Sequence, residues 1–334
     1  MRIAGIACAV PTNVITSEAF IPRFGRETVD KIVENIGVEE RRHVRTGCTS
    51  DLAVAAAERL FDDLHVDRST IDAVVLATKT PDWLSPATSG ILQDRLGLPQ
   101  RLVTFDLNLG CSGFTDGLIL GQALLKGLAL RKVLLLAGDT MSKVVSPDDQ
   151  GAALLFGDAA CAAILESSDA PFYHVIGRDG SGYSAIYHKF GYRQGLDARE
   201  PKLHPADIAF QMDGLEVLGF TLKCVPTLFT DILDLSGWNI ETTDYFLYHQ
   251  ANAFMLKQLA RRSKIPMEKF PIGITKFGNT CGASIPLMLV TELAERLGES
   301  TRLALFGFGS GLAWSAVAVE WKNGILCPLV EIDC

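Results

Sequence analysis

The chain has 334 residues, of which 48% are apolar, and a formal net charge of −8 with a pI near 5.3. This length and apolar content allow about two domains with sizeable cores. The acidic balance argues against a general nucleic-acid binder, although a local basic patch could dock an acidic partner. No apolar run reaches the roughly 18 residues of a membrane span, and the N-terminal segment lacks the pattern of a secretory signal. We therefore expect a cytoplasmic globular protein with no nucleic-acid or membrane partner.

The first half of the chain predicts helices alternating with strands. A helix capped at Ser50 runs over DLAVAAAERLFDDL (51–64). It is followed by the strands DAVVLAT (72–78) and LVTFDL (102–107), then Cys111, the helix SGFTDGLILGQALLKG (112–127), and the strands KVLLLAGD (132–139) and AACAAILE (159–166).

The second half repeats this order. It has a helix through GLEVLGFTLKCVPTLFTDIL (214–233), the strand DYFLYH (244–249), the short run FPIGITKF (270–277), Asn279, the helix PLMLVTELAERLG (286–298), and the strands TRLALFGFG (301–309) and AWSAVAVEW (313–321). Apolar strands alternating with helices indicate an α/β fold with sheets covered on both faces, and the repeat indicates an internal duplication. We place the boundary near Ser168, which gives halves of 1–168 and 169–334.

Cys111 is a nucleophile candidate, because a cysteine at the start of a helix faces backbone N–H groups and a dipole that stabilise a thiolate. His249 directly follows a predicted strand of the second half, and Asn279 occupies the position that Cys111 has in the first. Taken singly, these residues could be a buried thiol, a satisfied polar group and a turn. Equivalent loops of duplicated halves would meet across a pseudo-twofold axis, so their joint placement predicts an acyl-transfer site.

The eight cysteines support neither a disulfide framework nor a metal site. Cys8, Cys161 and Cys224 lie inside apolar runs, where small buried thiols are common, and no two cysteines have CxxC spacing. Asp139 and Asp158 follow or precede apolar strands, and we interpret both as structural hydrogen-bond acceptors instead of general bases. The segment GFGSG precedes a strand instead of a helix, which excludes a dinucleotide loop.

Six motifs in order resemble ketoacyl-acyl-carrier-protein synthase III along essentially the whole chain: GCSGFTDGL around Cys111, LLFGDAA (154–160), MDGLEV (212–217), HQAN (249–252), GNTCGASIP (278–286) and GFGSGLAW (307–314). The resemblance implies the thiolase-like fold, with two duplicated halves in a five-layered αβαβα arrangement, and a homodimer. It implies no metal and no cofactor, only acyl and malonyl thioesters of carrier protein or coenzyme A as substrates.

Carried onto this chain, the resemblance implies that Cys111 accepts an acyl group and that His249 and Asn279 stabilise the enolate formed when a malonyl thioester loses its carboxylate. The backbone N–H of Cys111, with one from the turn that contains Ser310 and Gly311, would bind the tetrahedral oxyanion. Two roles are open for Asn252: its side chain could line a polar tunnel, or it could start a helix.

The chain departs from the family pattern at two positions that hold coenzyme A, where it has Lys31 and Gln150 in place of a tryptophan and an arginine. Lysine and an amide stack poorly on a base, so we expect the acyl donor to be an acyl carrier protein, with a coenzyme A thioester as the alternative. Ser85 stands before Pro86 where primer-selective relatives often have a bulky aromatic residue, and Trp83 and Leu84 precede it. The smaller side chain would leave room for a longer or more polar acyl chain.

A basic stretch after HQAN is a candidate docking surface for an acidic carrier protein. It consists of Lys257, Arg261, Arg262 and Lys264, three of which fall near one face at helical spacing. The alternative interpretation is an ordinary solvated helix face.

Together these features predict a decarboxylating condensing enzyme that works through an acyl-Cys111 intermediate. The first alternative is an acyltransferase that passes the acyl group to a hydroxyl or amine in specialised metabolism. The second is a catalytically silent subunit of a heterodimer, against which the intact set of Cys111, His249 and Asn279 argues.

Overall fold

The structure is a computed structural model that describes residues 1–189 and 209–334. Its strands are β1 (Arg2–Pro11), β2 (Val14–Thr16), β3 (Glu40–Arg42), β4 (Ala73–Ala77), β5 (Val103–Leu107), β6 (Lys132–Asp139), β7 (Ala159–Glu166), β8 (Phe172–Arg178), β9 (Ile186–His188), β10 (Phe210–Met212), β11 (Tyr245–Tyr248), β12 (Ser300–Gly309), β13 (Ala313–Lys322), β14 (Ile325–Leu326) and β15 (Val330–Ile332). Its helices are α1 (Ile21–Phe24), α2 (Arg26–Ile36), α3 (Thr49–Leu64), α4 (Thr88–Arg95), α5 (Gly113–Gly127), α6 (Gln150–Leu155), α7 (Gly214–Ser236), α8 (Ala253–Ser263) and α9 (Ser284–Glu292).

Two mixed sheets repeat one topology. In the first sheet the order β4-β6-β7-β1 has β4 parallel to β6 and β7 antiparallel to both of its neighbours. In the second sheet β11-β12-β13-β8 repeats the same order and the same directions. This correspondence agrees with the predicted duplication.

The repeat is imperfect at its ends. The first sheet continues to β5, whereas residues 270–277 at the equivalent point of the second half are irregular. Strands β14 and β15 pair with β1, so the end of the chain joins the first sheet. A division of the chain at Ser168 stays a prediction.

Three apolar clusters produce five layers. Inner residues of both sheets, such as Leu135 and Leu305, pack with α5 and α9 between the sheets. The outer face of the first sheet is covered by α3 and α4, and that of the second by α7 and α8. A strand that is covered on both faces needs apolar residues at successive positions, and this explains the continuous apolar runs in the sequence. The predicted αβαβα arrangement is confirmed.

Small residues allow the central helix α5 to lie close to the first sheet. A Cβ atom on Gly117 would lie 2.4 Å from Leu135 Cδ1, and one on Gly121 would lie 2.4 Å from Leu165 Cδ1. Any larger side chain at these positions would push α5, and with it the site at its N-terminal end, away from the sheet.

Four predicted helix ends are wrong by two to six residues. Helix α3 begins at Thr49, and its cap is Cys48, whose N–H donates to Asp51 Oδ2 at 2.7 Å, instead of Ser50. The Ser50 hydroxyl lies inside the helix and accepts a hydrogen bond from Arg95 Nη1 at 2.6 Å. Helix α7 continues past residue 233 to Ser236, and α9 covers 284–292 instead of 286–298. Tertiary contacts decide such ends more than local propensity does.

Candidate active site

Cys111 lies between the C-terminal end of β5 and the first turn of α5, and its side chain is partly buried. The N-terminal end of a helix stabilises negative charge on a nearby group. The adjacent turn is fixed to the second sheet, because Thr115 Oγ1 donates to the Ser112 carbonyl at 2.9 Å and pairs with Ser315 Oγ of β13 at 2.7 Å. The nucleophile candidate is therefore held where the two halves meet.

Gly309 brings the end of β12 directly against Cys111. A Cβ atom on Gly309 would lie 2.6 Å from Cys111 Cβ and 2.9 Å from its Sγ, distances at which two non-bonded atoms clash. Glycine is thus required for this approach, and Gly311 in the same turn has a φ of 144°, which also favours glycine. This approach places the turn beside Cys111, and donation by the N–H groups of Ser310 and Gly311 to an oxyanion stays a prediction.

His249 directly follows β11 and is 2% exposed. Its Nδ1 lies 2.8 Å from Ser284 Oγ, and its ring packs edge-on against Phe308 with the centroids 5.5 Å apart. The Ser284 hydroxyl also accepts the Gln250 N–H at 3.3 Å, which favours donation of its own proton to Nδ1. His249 would then carry its proton on Nε2, as a donor needs.

Asn279 is 4% exposed and tied to both halves. Its backbone N–H donates to the Leu155 carbonyl at 2.9 Å, and its own carbonyl accepts from the Gly157 N–H at 3.1 Å. The Asn279 side chain accepts from the Cys281 N–H at 3.0 Å and donates through Nδ2 to the Ala251 carbonyl at 3.3 Å. Since an amide nitrogen carries two hydrogens, one can still donate to a bound thioester oxygen.

The pKa of the Cys111 thiol is held well below its ordinary value. The largest cause is a hydrogen bond from the Cys281 thiol, which outweighs the opposing effect of burial. An electrostatic interaction and a hydrogen bond from His249, and the charge of Lys79, act in the same direction. The structure thus brings Cys111 and His249 together, and Asn279 joins them through its bond to Cys281.

Two family models match the chain. The model described as 3-oxoacyl-[acyl-carrier-protein (ACP)] synthase III matches residues 105–180, and the model of its C-terminal part matches residues 233–321. A β-ketoacyl-[acyl-carrier-protein] synthase III of Clostridium perfringens (strain ATCC 13124) is 32% identical over 327 residues, which cover 96% of this chain and 98% of that relative. The chain belongs to the synthase III family.

Solved structures agree with this assignment. A 3-oxoacyl-(acyl-carrier protein) synthase from Burkholderia xenovorans LB400 is 39% identical with a TM-score of 0.93, over 99% of this chain and 97% of that one. The priming β-ketosynthase of the R1128 polyketide biosynthetic pathway is 26% identical with a TM-score of 0.86, over 96% of each chain. The predicted membership of the synthase III family is confirmed.

Sequence reasoning missed Lys79 in this synthase III site. Lys79 follows β4, and its Nζ is shielded from solvent and has no hydrogen-bond partner among the described residues. A Cβ atom on Gly110, the neighbour of Cys111, would lie 3.1 Å from Nζ. The signal was a lysine at the end of a buried strand that is parallel to β5, the strand leading to Cys111.

Cys281 was missed as well. It follows Asn279 by two residues, is fully buried, and has a φ of 48°, which is unusual for a residue other than glycine. The hydrogen bond to Cys111, followed by burial, holds the pKa of the Cys281 thiol well above its ordinary value, so it remains a neutral donor. Its contact with Cys111 joins loops from opposite halves, which no local pattern reveals.

The structural interpretation of Asp139 and Asp158 is confirmed. Asp139 Oδ1 accepts from the Lys79 N–H at 2.7 Å and from the Thr78 hydroxyl at 3.1 Å, and burial raises the pKa of this carboxyl to about 6. The Asp158 carboxylate accepts the Val44 and Ser142 N–H groups, each at 2.9 Å. Both carboxylates position loops around the site.

Asn252 caps α8, because its Oδ1 accepts the Met255 N–H at 2.7 Å, which confirms the helix-starting alternative. The predicted docking surface follows on this helix, with every one of its side chains exposed: Lys257, Arg261, Arg262 and Lys264. Lys264 lies just beyond the helix end, and Arg262 Nη1 donates to the Leu222 carbonyl of α7 at 3.0 Å. Carrier-protein docking at this surface stays a prediction.

The other departures from the family pattern lie on exposed segments. Lys31 and Gln150 are exposed on α2 and α6, which pack against each other. In the loop before α4, Trp83 is 65% and Leu84 is 56% exposed. Their effect on the choice of donor and acyl chain stays a prediction.

Within residues 1–189 and 209–334, no group of three or more His, Cys, Asp or Glu side chains is arranged to hold a metal ion. In the same part of the chain, no helix is both long enough and apolar enough to cross a membrane.

Proposed function

We propose that this protein condenses an acyl group with a malonyl thioester to give a 3-oxoacyl thioester. The observation that carries the proposal is the convergence of a thiolate-stabilising environment at Cys111 with the side chains of His249 and Asn279. The family membership supports it, since the named relatives are synthases of this type.

In the first step the Cys111 thiolate attacks the carbonyl carbon of an acyl thioester. A new C–S bond forms and gives a tetrahedral intermediate, whose oxyanion faces the turn beside Gly309. The C–S bond to the donor then breaks, and the donor thiolate leaves and takes up a proton. The acyl-cysteine that results is a thioester with about the energy of the donor, so the acyl group stays activated.

In the second step a malonyl thioester replaces the departed donor. Its C–C bond to the carboxylate breaks, carbon dioxide leaves, and the electron pair forms an enolate whose oxygen accepts hydrogen bonds from His249 and from Asn279 Nδ2. The enolate carbon then attacks the acyl carbonyl, the new C–C bond forms, and Cys111 leaves as a thiolate. The low pKa of Cys111 favours both its attack and its departure.

We further propose an acyl carrier protein as the donor of the acyl group. The exposed cations of the docking surface form no ion pair with a described residue, and all of them except Lys264 lie on the helix that begins four residues after His249. A carrier protein is acidic, so this surface would attract it within an otherwise acidic molecule.

The same protein is proposed to act as a homodimer. Strand β5 is the outer strand of the first sheet, and Phe105 on it is 44% exposed. An unpaired edge with an exposed aromatic residue suits strand pairing with a second copy. Light scattering should give a molar mass for wild type of twice the chain mass. Phe105→Asp should have the mass of one chain. A mass of one chain for wild type would refute the dimer.

The proposed reaction is tested by its products. The protein is incubated with malonyl-carrier protein and acyl donors on coenzyme A or on carrier protein, and mass spectrometry follows the 3-oxoacyl-carrier protein while carbon dioxide release is measured. Both products should appear together and at equal rates. Consumption of the acyl donor without release of carbon dioxide would instead indicate transfer to another acceptor.

A further inference from the structure

The ammonium group of Lys79 is a buried cation that stabilises the Cys111 thiolate, and the proposed condensation gives it no role once Cys111 is acylated. Its Nζ forms neither a hydrogen bond nor an ion pair with any described residue. The neighbouring Asp139 uses Oδ1 to accept the Lys79 backbone N–H, and its Oδ2 has no hydrogen-bond partner among the described residues. An unpaired buried charge is costly, so a group that pairs with it on binding would gain considerable free energy.

This cation borders the apolar cluster against which Cys111 packs. The cluster contains Met141, Phe156 and Phe210, and Cys111 lies at its edge. Lys79 Nζ lies 4.8 Å from the centre of the Phe210 ring. An acyl group bonded to Cys111 Sγ on this side would therefore lie beside apolar side chains and near the Lys79 ammonium.

The distance suits a short chain. Nζ lies 3.1 Å from the position of a Cβ atom on Gly110, and Gly110 and Cys111 are neighbours in the chain. Adjacent Cα atoms are about 3.8 Å apart, so Nζ is within reach of an acyl group a few carbons long.

We propose that Lys79 binds a carboxylate at the far end of the acyl group, so that the enzyme selects half-thioesters of short dicarboxylic acids. The proposal rests on the loading of Cys111 proposed above. Once Cys111 is acylated its sulfur is neutral, and Lys79 loses the negative charge that faced it. A carboxylate on the acyl group would replace that charge, through a charge-assisted hydrogen bond that a hydroxyl or a methyl group provides weakly or not at all.

The carboxylate of the malonyl thioester is the less suitable partner. That carboxylate must leave as neutral carbon dioxide, and an ammonium bound to it would stabilise the ground state more than the transition state. The cation is better used on a charge that persists through the reaction.

The test compares donors of equal carbon number that differ only in the terminal group: succinyl with butyryl, glutaryl with pentanoyl, and adipyl with hexanoyl, each as a coenzyme A and a carrier-protein thioester. Intact-protein mass spectrometry gives the rate of acylation of wild type and of Lys79→Met, without malonyl thioester. Wild type should load one of the carboxylate donors about 10- to 100-fold faster than its neutral partner, the range expected for one charge-assisted hydrogen bond. Lys79→Met should lose this preference, while loading by the neutral donor slows only by the smaller factor set by the loss of the Lys79 charge beside the Cys111 thiolate.

Three results would overturn the proposal. In the first, wild type loads neutral donors as fast as carboxylate donors at every length, a result that needs no variant and does not depend on whether Lys79→Met folds. In the second, Lys79→Met slows both classes by the same factor with an unchanged melting temperature, so that the preference for carboxylate donors survives and the cation acts on the thiolate alone. An absence of any adduct from every donor would refute the proposed loading of Cys111 and this inference with it.

Discussion

The thiol of Cys281 donates a hydrogen bond to Cys111, and this contact joins the loop after Asn279 to the start of α5. The two cysteines differ in protonation because each environment favours a different form. Cys111 lies at a helix N-terminus beside cationic groups, whereas Cys281 is fully buried and donates. The pair explains how a partly buried cysteine can be a thiolate near neutral pH.

Replacement of Cys281 by alanine should therefore raise the pKa of Cys111. A hydrogen bond to a charged group contributes about 1.5–3 kcal/mol, so the midpoint of the pH dependence should rise by about one pH unit or more. The measurement is the rate of Cys111 alkylation by iodoacetamide between pH 5 and 10, followed on the peptide that contains it. Cys224→Ala is the matched control, because Cys224 is half-buried on α7 instead of fully buried as the sequence predicted, and it should leave the midpoint unchanged. An unchanged midpoint in Cys281→Ala would contradict the assigned hydrogen bond.

His249 and Asn279 should be needed for condensation and not for loading. His249→Ala and Asn279→Ala remove donors to the enolate oxygen, and each such donor contributes about 10²–10³-fold to the rate. Acylation of Cys111 should stay within about tenfold of wild type, while carbon dioxide release from malonyl-carrier protein should fall by at least about 100-fold. Asn252→Ala is the control. It removes only the cap of α8 and should lower stability by about 1 kcal/mol with both steps retained.

Loss of loading in a folded Asn279→Ala variant would refute this division of roles. The same result in His249→Ala would indicate that the imidazole also activates the thiol, since its charge and hydrogen bond contribute to the low pKa of Cys111.

Asp139 should make stability fall as the pH rises. Burial raises the pKa of its carboxyl from 3.8 to about 6, so the folded state retains a proton that the unfolded state has already lost in this window. The free energy of unfolding of Asp139→Asn, minus that of wild type, should therefore increase by about 2 kcal/mol as the pH rises from 4.5 to 7. Urea titrations at several pH values give this difference.

Asp67 provides the control for that experiment. Its exposed carboxylate accepts the Ser69 N–H at 2.9 Å, and the hydrogen bonds from Ser69 hold its pKa below 3.8. Asp67→Asn should therefore show a difference from wild type that is constant above pH 4.5. A constant difference for Asp139→Asn too would mean that its carboxyl is ionised in the folded protein throughout this range.

Reversal of charge on the docking surface should weaken the carrier-borne donor selectively. Lys257→Glu combined with Arg261→Glu should raise KM for acyl-carrier protein by about tenfold at low salt, with the rate at saturation unchanged, because steering by exposed charges acts on association. The effect should shrink as salt is added. The control is Arg101→Glu combined with Lys126→Glu. Both are exposed cations, Arg101 just before the start of β5 and Lys126 near the end of α5. Equal KM values for the two double variants would exclude this surface as the docking site of the carrier protein.

The architecture follows from the sequence because its causes are local and repeated. Apolar runs covered on both faces read as strands, and Cys111, His249 and Asn279 stand at the ends of such segments, so the topology alone brings them towards one place. The contacts of Lys79 and Cys281 could not be predicted, because they depend on which loops of the two halves touch. The cap at Cys48 was missed for a related reason, since cysteine is an uncommon cap and Ser50 is the stronger local signal.

The central claim is that Cys111 carries the acyl group which malonyl thioester then removes. The direct test is a pulse and chase: the protein is loaded with an acyl donor, freed of excess donor, and mixed with malonyl-carrier protein, while peptide mass spectrometry follows the acyl mass on Cys111. The account predicts an adduct on Cys111, absent from Cys111→Ala, that disappears as an equal amount of 3-oxoacyl-carrier protein forms. An adduct that persists in the presence of malonyl-carrier protein, or product formation by Cys111→Ala at the wild-type rate, would contradict it.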